Sequence, residues 1–336
     1  MKKVFVPLNT KIPMHKQFPT EKQVWGDYEF ILGERCDECD IVVVLDTLTK
    51  PLNVRCKEGG VICFPMEAES IKRYSKEYLQ QFDSIFSFQD YILKMPNAKL
   101  SIPPFPWMLI YDFYAMDDTV YDKYDYFKMP ELSENRINKF CLFTSNKKMS
   151  RGHCDRIHFV EEIQKTIPGL VDIYGKGFNK VDVKYDVMTK YKYCIVIEND
   201  SVPYWRTEKL SDSILAGCFS LYYGDPKINE QFSTREVEPL NIFDVDSSVK
   251  RIKEIIAEDL YEDRIDDVVR ARNKVLQNWN TFSIIADCLD NIKLSNSIRE
   301  VTINPLLLSR FSSFCFNLKQ RFYANAPYSI VKQFSF

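Results

Sequence analysis

Residues 190–226, KYKYCIVIENDSVPYWRTEKLSDSILAGCFSLYYGDP, contain two apolar runs that flank a helical segment. The first run, Tyr193–Ile197, is typical of a buried strand and ends in the polar residues 198–200. A helix is predicted to begin at Thr207, and the second apolar run covers Cys218–Tyr223. Two strands joined by a crossover helix form a βαβ unit, whose polar loops lie at the carboxyl edge of a parallel sheet. This edge is where an α/β protein usually binds its ligand.

The remainder of the chain repeats this alternation of strand and helix signals. Apolar runs that predict buried strands include Ile41–Leu45, Val61–Phe64, Ser84–Phe88, Phe140–Thr144 and Val171–Tyr174. Helical patterns are predicted between them, at residues 71–82 and 154–166, and a long helix is predicted at 264–292. Such alternation favours an α/β fold with open parallel sheets.

With 336 residues, the chain is long for one hydrophobic core and comfortable for two domains. We predict two Rossmann-like lobes with a cleft between them: an N-terminal domain at 1–135 and a C-terminal domain at 136–300. A basic, aromatic tail at 301–336 is assigned to neither lobe. A charged, weakly periodic segment near residues 112–138 is the predicted connection.

Composition excludes several classes of protein. The net charge of −2, from 45 basic and 47 acidic residues, does not suggest nucleic-acid binding. Because no stretch approaches 18 consecutive apolar residues, we expect a soluble, cytoplasmic protein. Cys36 and Cys39 have the spacing of zinc ligands, but no second pair completes four ligands. The ten cysteines are therefore expected to be reduced and structural, and no metal site is predicted.

Common nucleotide motifs are incomplete or missing. Gly175 and Gly177 follow a predicted strand, but the third glycine of a dinucleotide fingerprint is replaced by Lys180. No GxxxxGK[ST] loop occurs, and no Asp-x-Asp follows a strand, so a metal-dependent sugar transferase is disfavoured. Lys209 is more informative, because a cation in the first turn of a helix opposes the helix dipole unless an anion is bound there. Together with Arg156, it outlines a diphosphate site, beside which Glu198 or Glu208 could accept two ribose hydroxyls.

These residues carry a resemblance to a known family. The pattern Tyr191-x-Tyr193-x5-Glu198-Asn199-x7-Thr207-Glu208-Lys209-Leu210, followed by Leu215-Ala216-Gly217 and Tyr223-Gly224-Asp225-Pro226, resembles the α-1,3-fucosyltransferase family (glycosyltransferase family 10), in its bacterial form. The resemblance extends to Thr144-Ser145-Asn146-Lys147, Gly152-His153, Arg156 and 171–175. It covers about residues 60–260 and is weaker toward the N-terminus.

The resemblance implies a GT-B fold in which the N-terminal lobe at 1–135 binds the acceptor and the C-terminal lobe at 136–300 binds the nucleotide sugar, GDP-fucose. It implies that Arg156 and Lys209 bind the diphosphate, that Glu208 holds the ribose and that Asn199 lies near the donor. The other donor-binding positions that it suggests are Ser145, Asn146, Gly175, Glu198, Tyr204 and Trp205. The family usually has Tyr where this chain has Trp205, so an aromatic wall is kept but the hydroxyl is displaced.

The resemblance also implies an inverting transfer with a carboxylate of the N-terminal lobe as general base. Glu67, directly after the Val61–Phe64 run, is the first candidate, and Glu69 is the second. The expected reaction moves L-fucose from GDP-fucose to a Gal/GlcNAc-type glycan in α-1,3 or α-1,4 linkage, in surface polysaccharide or lipopolysaccharide biosynthesis. No cofactor is expected, and a divalent cation at most stimulates. The alternatives are another GDP-sugar donor or a non-catalytic sugar-nucleotide or glycan-binding protein.

The tail alternates apolar with basic side chains, and no acid follows Glu300. Its apolar positions include Leu306-Leu307-Leu308, Phe311, Phe314, Phe316, Leu318, Phe322 and Tyr323. A basic, aromatic segment suits an anionic membrane surface, where lipid-linked glycan acceptors lie. We therefore expect peripheral contact with the inner face of the membrane through residues 305–336. The alternative is a C-terminal helix that packs back on the lobes.

Overall fold

A computed structural model of the chain describes residues 1–8, 11–112, 124–128, 132, 135–307 and 310–333. The backbone forms two compact units, Met1–Pro106 with Asn278–Ser309, and Trp107–Gln277 with Arg310–Phe336. These boundaries differ from the predicted ones, because the chain passes into the second unit 29 residues earlier than 135 and later returns to the first. The predicted 301–336 tail is divided between the two units, so it is not a separate region.

The first unit is built on a seven-stranded sheet. Its elements up to residue 100 are β1 (Lys2–Pro7), β2 (Val24–Trp25), β3 (Tyr28–Gly33), β4 (Ile41–Leu45), β5 (Leu52–Lys57), β6 (Val61–Phe64), α1 (Lys76–Leu79), β7 (Ser84–Ser87), α2 (Asp90–Leu93) and β8 (Ala98–Leu100). The strand order is β2-β3-β1-β4-β6-β7-β8, and every pairing is parallel except that of β2 with β3. The central strand β4 is apolar throughout because both faces of the sheet are covered.

The second unit contains a five-stranded, wholly parallel sheet of order β10-β9-β11-β12-β13. Its elements are β9 (Ile137–Phe143), α3 (Arg151–Thr166), β10 (Val171–Tyr174), α4 (Tyr185–Met188), β11 (Tyr191–Ile197), α5 (Glu208–Leu215), β12 (Phe219–Tyr223), β13 (Val237–Pro239), α6 (Val245–Ala257) and α7 (Ile265–Asn278). The predicted βαβ unit is present as β11, α5 and β12. All seven residues of β11 are buried, as expected for a strand covered on both faces.

Two helical predictions are wrong. The predicted 264–292 helix is broken at Asn280, whose side chain accepts from the Phe282 amide at 2.8 Å and so starts a new helix, α8 (Thr281–Leu289). α8 packs in the first unit, and β14 (Ile298–Ile303) then pairs antiparallel with β5. In the predicted 71–82 helix, only α1 is helical, because Ser75 caps it through the Tyr78 amide.

The end of the chain packs on α3 of the second unit. It forms α9 (Arg310–Asn325) and α10 (Tyr328–Val331). Tyr328 donates from its hydroxyl to Asp155 at 2.8 Å and stacks on His158 at a ring separation of 4.1 Å. Val331 and Tyr323 are buried against Cys154. Part of the tail therefore packs back on its unit, which was the alternative to membrane contact.

Among the apolar positions named for the tail, Leu308, Phe311, Phe314 and Phe316 lie outside the described side chains. Within the described residues, every helix falls short of the length and hydrophobicity that a membrane span requires. No group of three or more described His, Cys, Asp or Glu residues is arranged to hold a metal ion.

Candidate functional site

Most of the predicted donor-binding residues lie at the carboxyl edge of the five-stranded sheet. Ser145 follows β9, Gly175 follows β10, and Glu198 and Asn199 follow β11. Because the strands are parallel, their carboxyl ends meet at one edge of the sheet, and α3 begins beside them. The sequence prediction that these strand ends share one edge is therefore confirmed.

Gly152 fixes the approach of α3 to the end of β11. A side chain at this position would place its Cβ 1.9 Å from the Asn199 carbonyl oxygen, a distance that no side chain can occupy. The helix begins at a Ser150 cap, whose hydroxyl accepts from the His153 amide. This close contact brings Arg156, one turn further along α3, to the strand ends.

Arg156 is a buried cation of this edge, with a relative exposure of 4%. One Nη donates to Oδ1 of Asn199, and the other donates to the Ser145 carbonyl oxygen at 3.0 Å. Its Nε is buried and has no hydrogen-bond partner among the described residues. Burial lowers the pKa of Arg156 to about 10, while Glu198 opposes this change, so the guanidinium remains charged at neutral pH. A buried, charged donor with one N–H unsatisfied suits an anionic ligand.

Glu198 holds the beginning of α5. Its carboxylate accepts from the Thr207 amide at 2.9 Å, from the Thr207 hydroxyl and from Lys209 Nζ at 3.0 Å. Thr207 occupies the N-cap position, but its side chain bonds Glu198 and does not cap the helix. Because Glu198 is wholly buried, it positions Lys209 and does not itself face a ligand.

Glu208 is the carboxylate of this pair that reaches the surface. Its side chain is 16% exposed and lies 3.8 Å from Lys209 Nζ. Burial would raise the pKa of Glu208, but Lys209 and Lys184 lower it below its usual value, so the group is ionised. Burial would lower the pKa of Lys209, but Glu198 and Glu208 raise it. The two side chains therefore offer an anionic acceptor and a cationic donor side by side.

His153 is a buried histidine beside the cations of this edge. Burial lowers its pKa to about 3, and Arg156, Lys209 and Lys147 contribute in the same direction. The imidazole is therefore neutral at physiological pH, and its Nδ1 lies 2.7 Å from the Ser150 hydroxyl. Three cations therefore lie close enough to this buried ring to lower its pKa.

The two neighbouring aromatic residues, Tyr204 and Trp205, are placed differently from the prediction. Trp205 is completely buried, so it does not line an accessible surface, and the expected aromatic wall is not present at this position. Tyr204 is partly exposed and has a φ of 63°, and its amide donates to Asp225 at 2.8 Å. Its hydroxyl donates to Glu230 at 3.3 Å. The aromatic character of the pair is visible in the sequence, but which ring is buried depends on the turn at Tyr204.

The remaining predicted positions, Asn146 and Gly175, lie in the loops that follow β9 and β10. Gly175 has a φ of 119°, and a Cβ there would lie 2.0 Å from the Thr144 carbonyl oxygen, so the loop packs closely against the end of β9. Asn146 is exposed, and its backbone amide donates to the Lys176 carbonyl oxygen at 3.0 Å. These contacts place Gly175 and Asn146 beside Ser145 and Arg156.

The candidate bases lie in the first unit, where Glu67 follows β6. Glu67 is half-buried, and its carbonyl oxygen accepts from Gln89 Nε2 at 2.7 Å. Glu69 is exposed and pairs with Arg73 at 2.5 Å. Sequence reasoning did not select Asp46, which follows β4 and whose carboxylate accepts from the Tyr74 hydroxyl. Its only signal was its place at the end of an apolar run.

Comparison with known proteins supports the resemblance on which the site rests. Alpha-(1,3)-fucosyltransferase B from Drosophila melanogaster is 24% identical over 172 residues, which cover 46% of this chain and 35% of that protein. A crystal structure of an α1,3-fucosyltransferase aligns with a TM-score of 0.50 at 18% identity, over 91% of this chain and 93% of the other. The chain resembles the α-1,3-fucosyltransferases in sequence and in fold. No protein-family model matches it.

The predicted GT-B fold is confirmed by this α1,3-fucosyltransferase structure. A second structure, an α1,3-fucosyltransferase with GDP-fucose, aligns at 15% identity over 82% of this chain and 90% of the other, with a TM-score of 0.46. The match to the Drosophila melanogaster protein spans about a third of that protein's length, so it supports the resemblance and not the relative's whole activity.

Proposed function

We propose that this protein is an inverting glycosyltransferase that transfers L-fucose from GDP-fucose to a hydroxyl of a Gal/GlcNAc-type glycan, in α-1,3 or α-1,4 linkage. The observation that carries the proposal is the buried Arg156, charged and with one N–H unsatisfied, beside Lys209 at the carboxyl edge of a parallel sheet. The similarity to α-1,3-fucosyltransferases supports fucose as the sugar.

In this proposal, the donor diphosphate binds Arg156 and Lys209, together with the first amides of α3. As the bond to the sugar breaks, negative charge accumulates on the leaving GDP, and these groups stabilise it without a metal ion. A divalent cation would at most stimulate. Glu208 accepts hydrogen bonds from the ribose hydroxyls, because it is ionised and partly exposed beside Lys209.

Glu67 is the proposed general base. Its carboxylate takes the proton of the acceptor hydroxyl while the acceptor oxygen forms a bond to C1 of the sugar. The bond between C1 and the phosphate oxygen breaks, and its electron pair stays on GDP. Glu69 is the second choice, since it is exposed and already paired with Arg73. We also propose that the acceptor is a lipid-linked glycan of lipopolysaccharide type. The protein would reach it by contact of residues 305–336 with the inner face of the membrane.

The first test is a thermal-shift screen against GDP, UDP and CDP sugars, followed by measurement of GDP release from GDP-fucose with galactose- and N-acetylglucosamine-ended acceptors. We expect stabilisation by GDP compounds and release that depends on the acceptor. Stabilisation by another GDP-sugar, but not by GDP-fucose, would change the donor. GDP binding without release for any acceptor would favour a non-catalytic binding protein, and no response to GDP compounds would contradict the proposal.

The second test separates the two candidate bases. Glu67→Gln should lower kcat by at least about 100-fold, because general base catalysis contributes on this scale, while the Kd for GDP is unchanged. Glu69→Gln is the matched control and should keep turnover within about threefold. Full turnover of Glu67→Gln together with an inactive Glu69→Gln would reverse the assignment.

A further inference from the structure

The hydroxyl of Tyr74 makes three hydrogen bonds at the carboxyl edge of the first unit's sheet. It accepts from the backbone amides of Met66 at 3.1 Å and Glu67 at 3.2 Å, and it donates to Asp46. We propose that Tyr74 and Asp46 are positioning residues that hold the backbone of Glu67 where its carboxylate can act as the base. This inference rests on the proposed function, since it assigns Glu67 to the reaction.

The bonding capacity of the Tyr74 hydroxyl is fully used. A phenol has one hydrogen to donate and two lone pairs that accept, and here each has a partner. Tyr74 is 2% exposed, so these bonds form away from water. Burial and the Asp46 carboxylate raise the pKa of Tyr74, so the phenol stays protonated and keeps donating to Asp46.

Asp46 is held in an unfavourable backbone conformation. It directly follows β4 and has a φ of 67°, which a residue with a side chain adopts only at a cost. Its amide donates to the Phe64 carbonyl oxygen at 2.8 Å, and its own carbonyl oxygen accepts from the Tyr78 hydroxyl at 3.0 Å. Lys72 pairs with its carboxylate. These contacts fix the acceptor of the Tyr74 bond relative to the end of β6.

The carbonyl group of Glu67 is held by a side chain that follows the next strand of the sheet. Gln89, which follows β7 and is 4% exposed, donates to the Glu67 carbonyl oxygen at 2.7 Å. The amide and the carbonyl of Glu67 are therefore each bound by a side chain from a neighbouring segment. Misplacement of a catalytic group by about 1 Å can reduce turnover by about 100-fold, so a loop held in this way has a direct consequence for rate.

A second tyrosine in the same unit provides a matched control. Tyr28 is 1% exposed, and its hydroxyl donates to Asp290 at 2.8 Å. It begins β3 and therefore lies at the amino edge of the same sheet, away from Glu67. If the role of Tyr74 were purely structural, Tyr74→Phe and Tyr28→Phe would have similar turnover, even though Tyr74→Phe removes more hydrogen bonds.

The experiment measures kcat, the acceptor KM and the Kd for GDP in Tyr74→Phe, Asp46→Asn and Tyr28→Phe. We expect Tyr74→Phe to lower kcat by about 10- to 100-fold, with the Kd for GDP within about twofold, and Asp46→Asn to act in the same direction with a smaller loss. In a Glu67→Gln background, Tyr74→Phe should lower the residual rate less than threefold, because both changes remove one function.

Two results would overturn the inference. One is a kcat for Tyr74→Phe within threefold of that for Tyr28→Phe. The other is a loss on the Glu67→Gln background as large as the loss on the wild type, which would mean that Tyr74 acts independently of Glu67. Both require an active wild type. A wild type that transfers no sugar from any GDP donor would instead contradict the proposed function, so the two failures are distinguishable.

Discussion

The carboxyl edges of the two parallel sheets are built from different chemistry. In the second unit, the edge is made of charged side chains that are buried or half-buried, with Arg156 and Lys209 fixed by Asn199 and Glu198. In the first unit, the backbone of Glu67 is bound by neutral groups: the hydroxyl of Tyr74, which accepts from its amide, and the side-chain amide of Gln89, which donates to its carbonyl oxygen.

The difference follows from the work that each edge is proposed to do. An edge that binds a diphosphate must keep cations charged away from water, and it can do so only with fixed partners around them. An edge that presents a base needs orientation, which hydrogen bonds to the backbone of that base supply. Substitutions at the two edges should therefore have different effects on nucleotide affinity.

Arg156→Lys should have the largest effect, because lysine cannot reproduce the forked contact with Asn199 and Ser145. We expect the Kd for GDP, measured by titration calorimetry, to rise by at least about 100-fold, or about 3 kcal/mol. Arg136→Lys is the control. Arg136 is also buried, but it bonds the Tyr191 and Gly217 carbonyl oxygens at the amino edge of the same sheet, so its loss should leave the Kd unchanged. If both variants raised the Kd for GDP equally, the effect would not be specific to the carboxyl edge of this sheet.

Gly152→Ala should come next, because its Cβ would lie 1.9 Å from the Asn199 carbonyl oxygen and would force α3 away from β11. We expect a loss of about 2–3 kcal/mol in the free energy of unfolding, measured with denaturant, and weaker GDP binding. Gly33→Ala is the control, since nothing lies within 4 Å of a Cβ there. A Gly152→Ala protein as stable as Gly33→Ala would show that the contact is not tight.

The charged edge should also be sensitive to acid through His153. Its pKa of about 3 in the folded protein lies below the ordinary value of 6.5, so the unfolded chain binds more protons between these values. The contribution of His153 to stability is therefore complete above about pH 6.5 and is lost as the pH falls toward 3. Between pH 7 and pH 5, the loss is at most about 2 kcal/mol.

The control for acid sensitivity is His153→Gln, which cannot titrate. Asp212 contributes with the opposite sign, because burial raises its pKa to about 6, but both proteins carry it. Denaturant unfolding of the wild type and the variant at pH 7 and pH 5 isolates the part due to His153. If the two proteins lose the same stability between these pH values, His153 does not titrate as described.

Tyr78→Phe should have the smallest effect. It removes one bond, from the Tyr78 hydroxyl to the Asp46 carbonyl oxygen at 3.0 Å, and should lower the free energy of unfolding by about 1 kcal/mol. Because Tyr78 lies at the edge of the first unit's sheet, the Kd for GDP should stay within about twofold. A marked loss of GDP affinity in this variant would contradict the separation of the two edges.

Much of the charged edge could be predicted from the sequence, because its residues directly follow strands. Glu198 and Asn199 end an apolar run, and Lys209 stands out as a cation in the first turn of a helix. The pattern could not show that Glu198 would be buried and would bond Thr207 while Glu208 stays partly exposed. That distinction depends on how far α5 approaches β11.

The edge of the first unit was much less accessible to such reasoning. Tyr74 was predicted on a helical face, but the helix begins only after Ser75, and this leaves Tyr74 to reach Asp46 and the Glu67 amide. Helical periodicity cannot reveal a hydroxyl that bonds backbone groups across strand ends. Trp205 was predicted to form an accessible wall but is buried, because the left-handed turn at Tyr204 decides which ring faces inward.

A crystal structure of the protein with GDP tests the central claim most directly. The diphosphate should lie at the carboxyl edge of the five-stranded sheet, with its oxygens within hydrogen-bond distance of Arg156 and of Lys209 Nζ, and the ribose hydroxyls should bond Glu208. GDP bound elsewhere, or at this edge without contact to Arg156, would contradict the account.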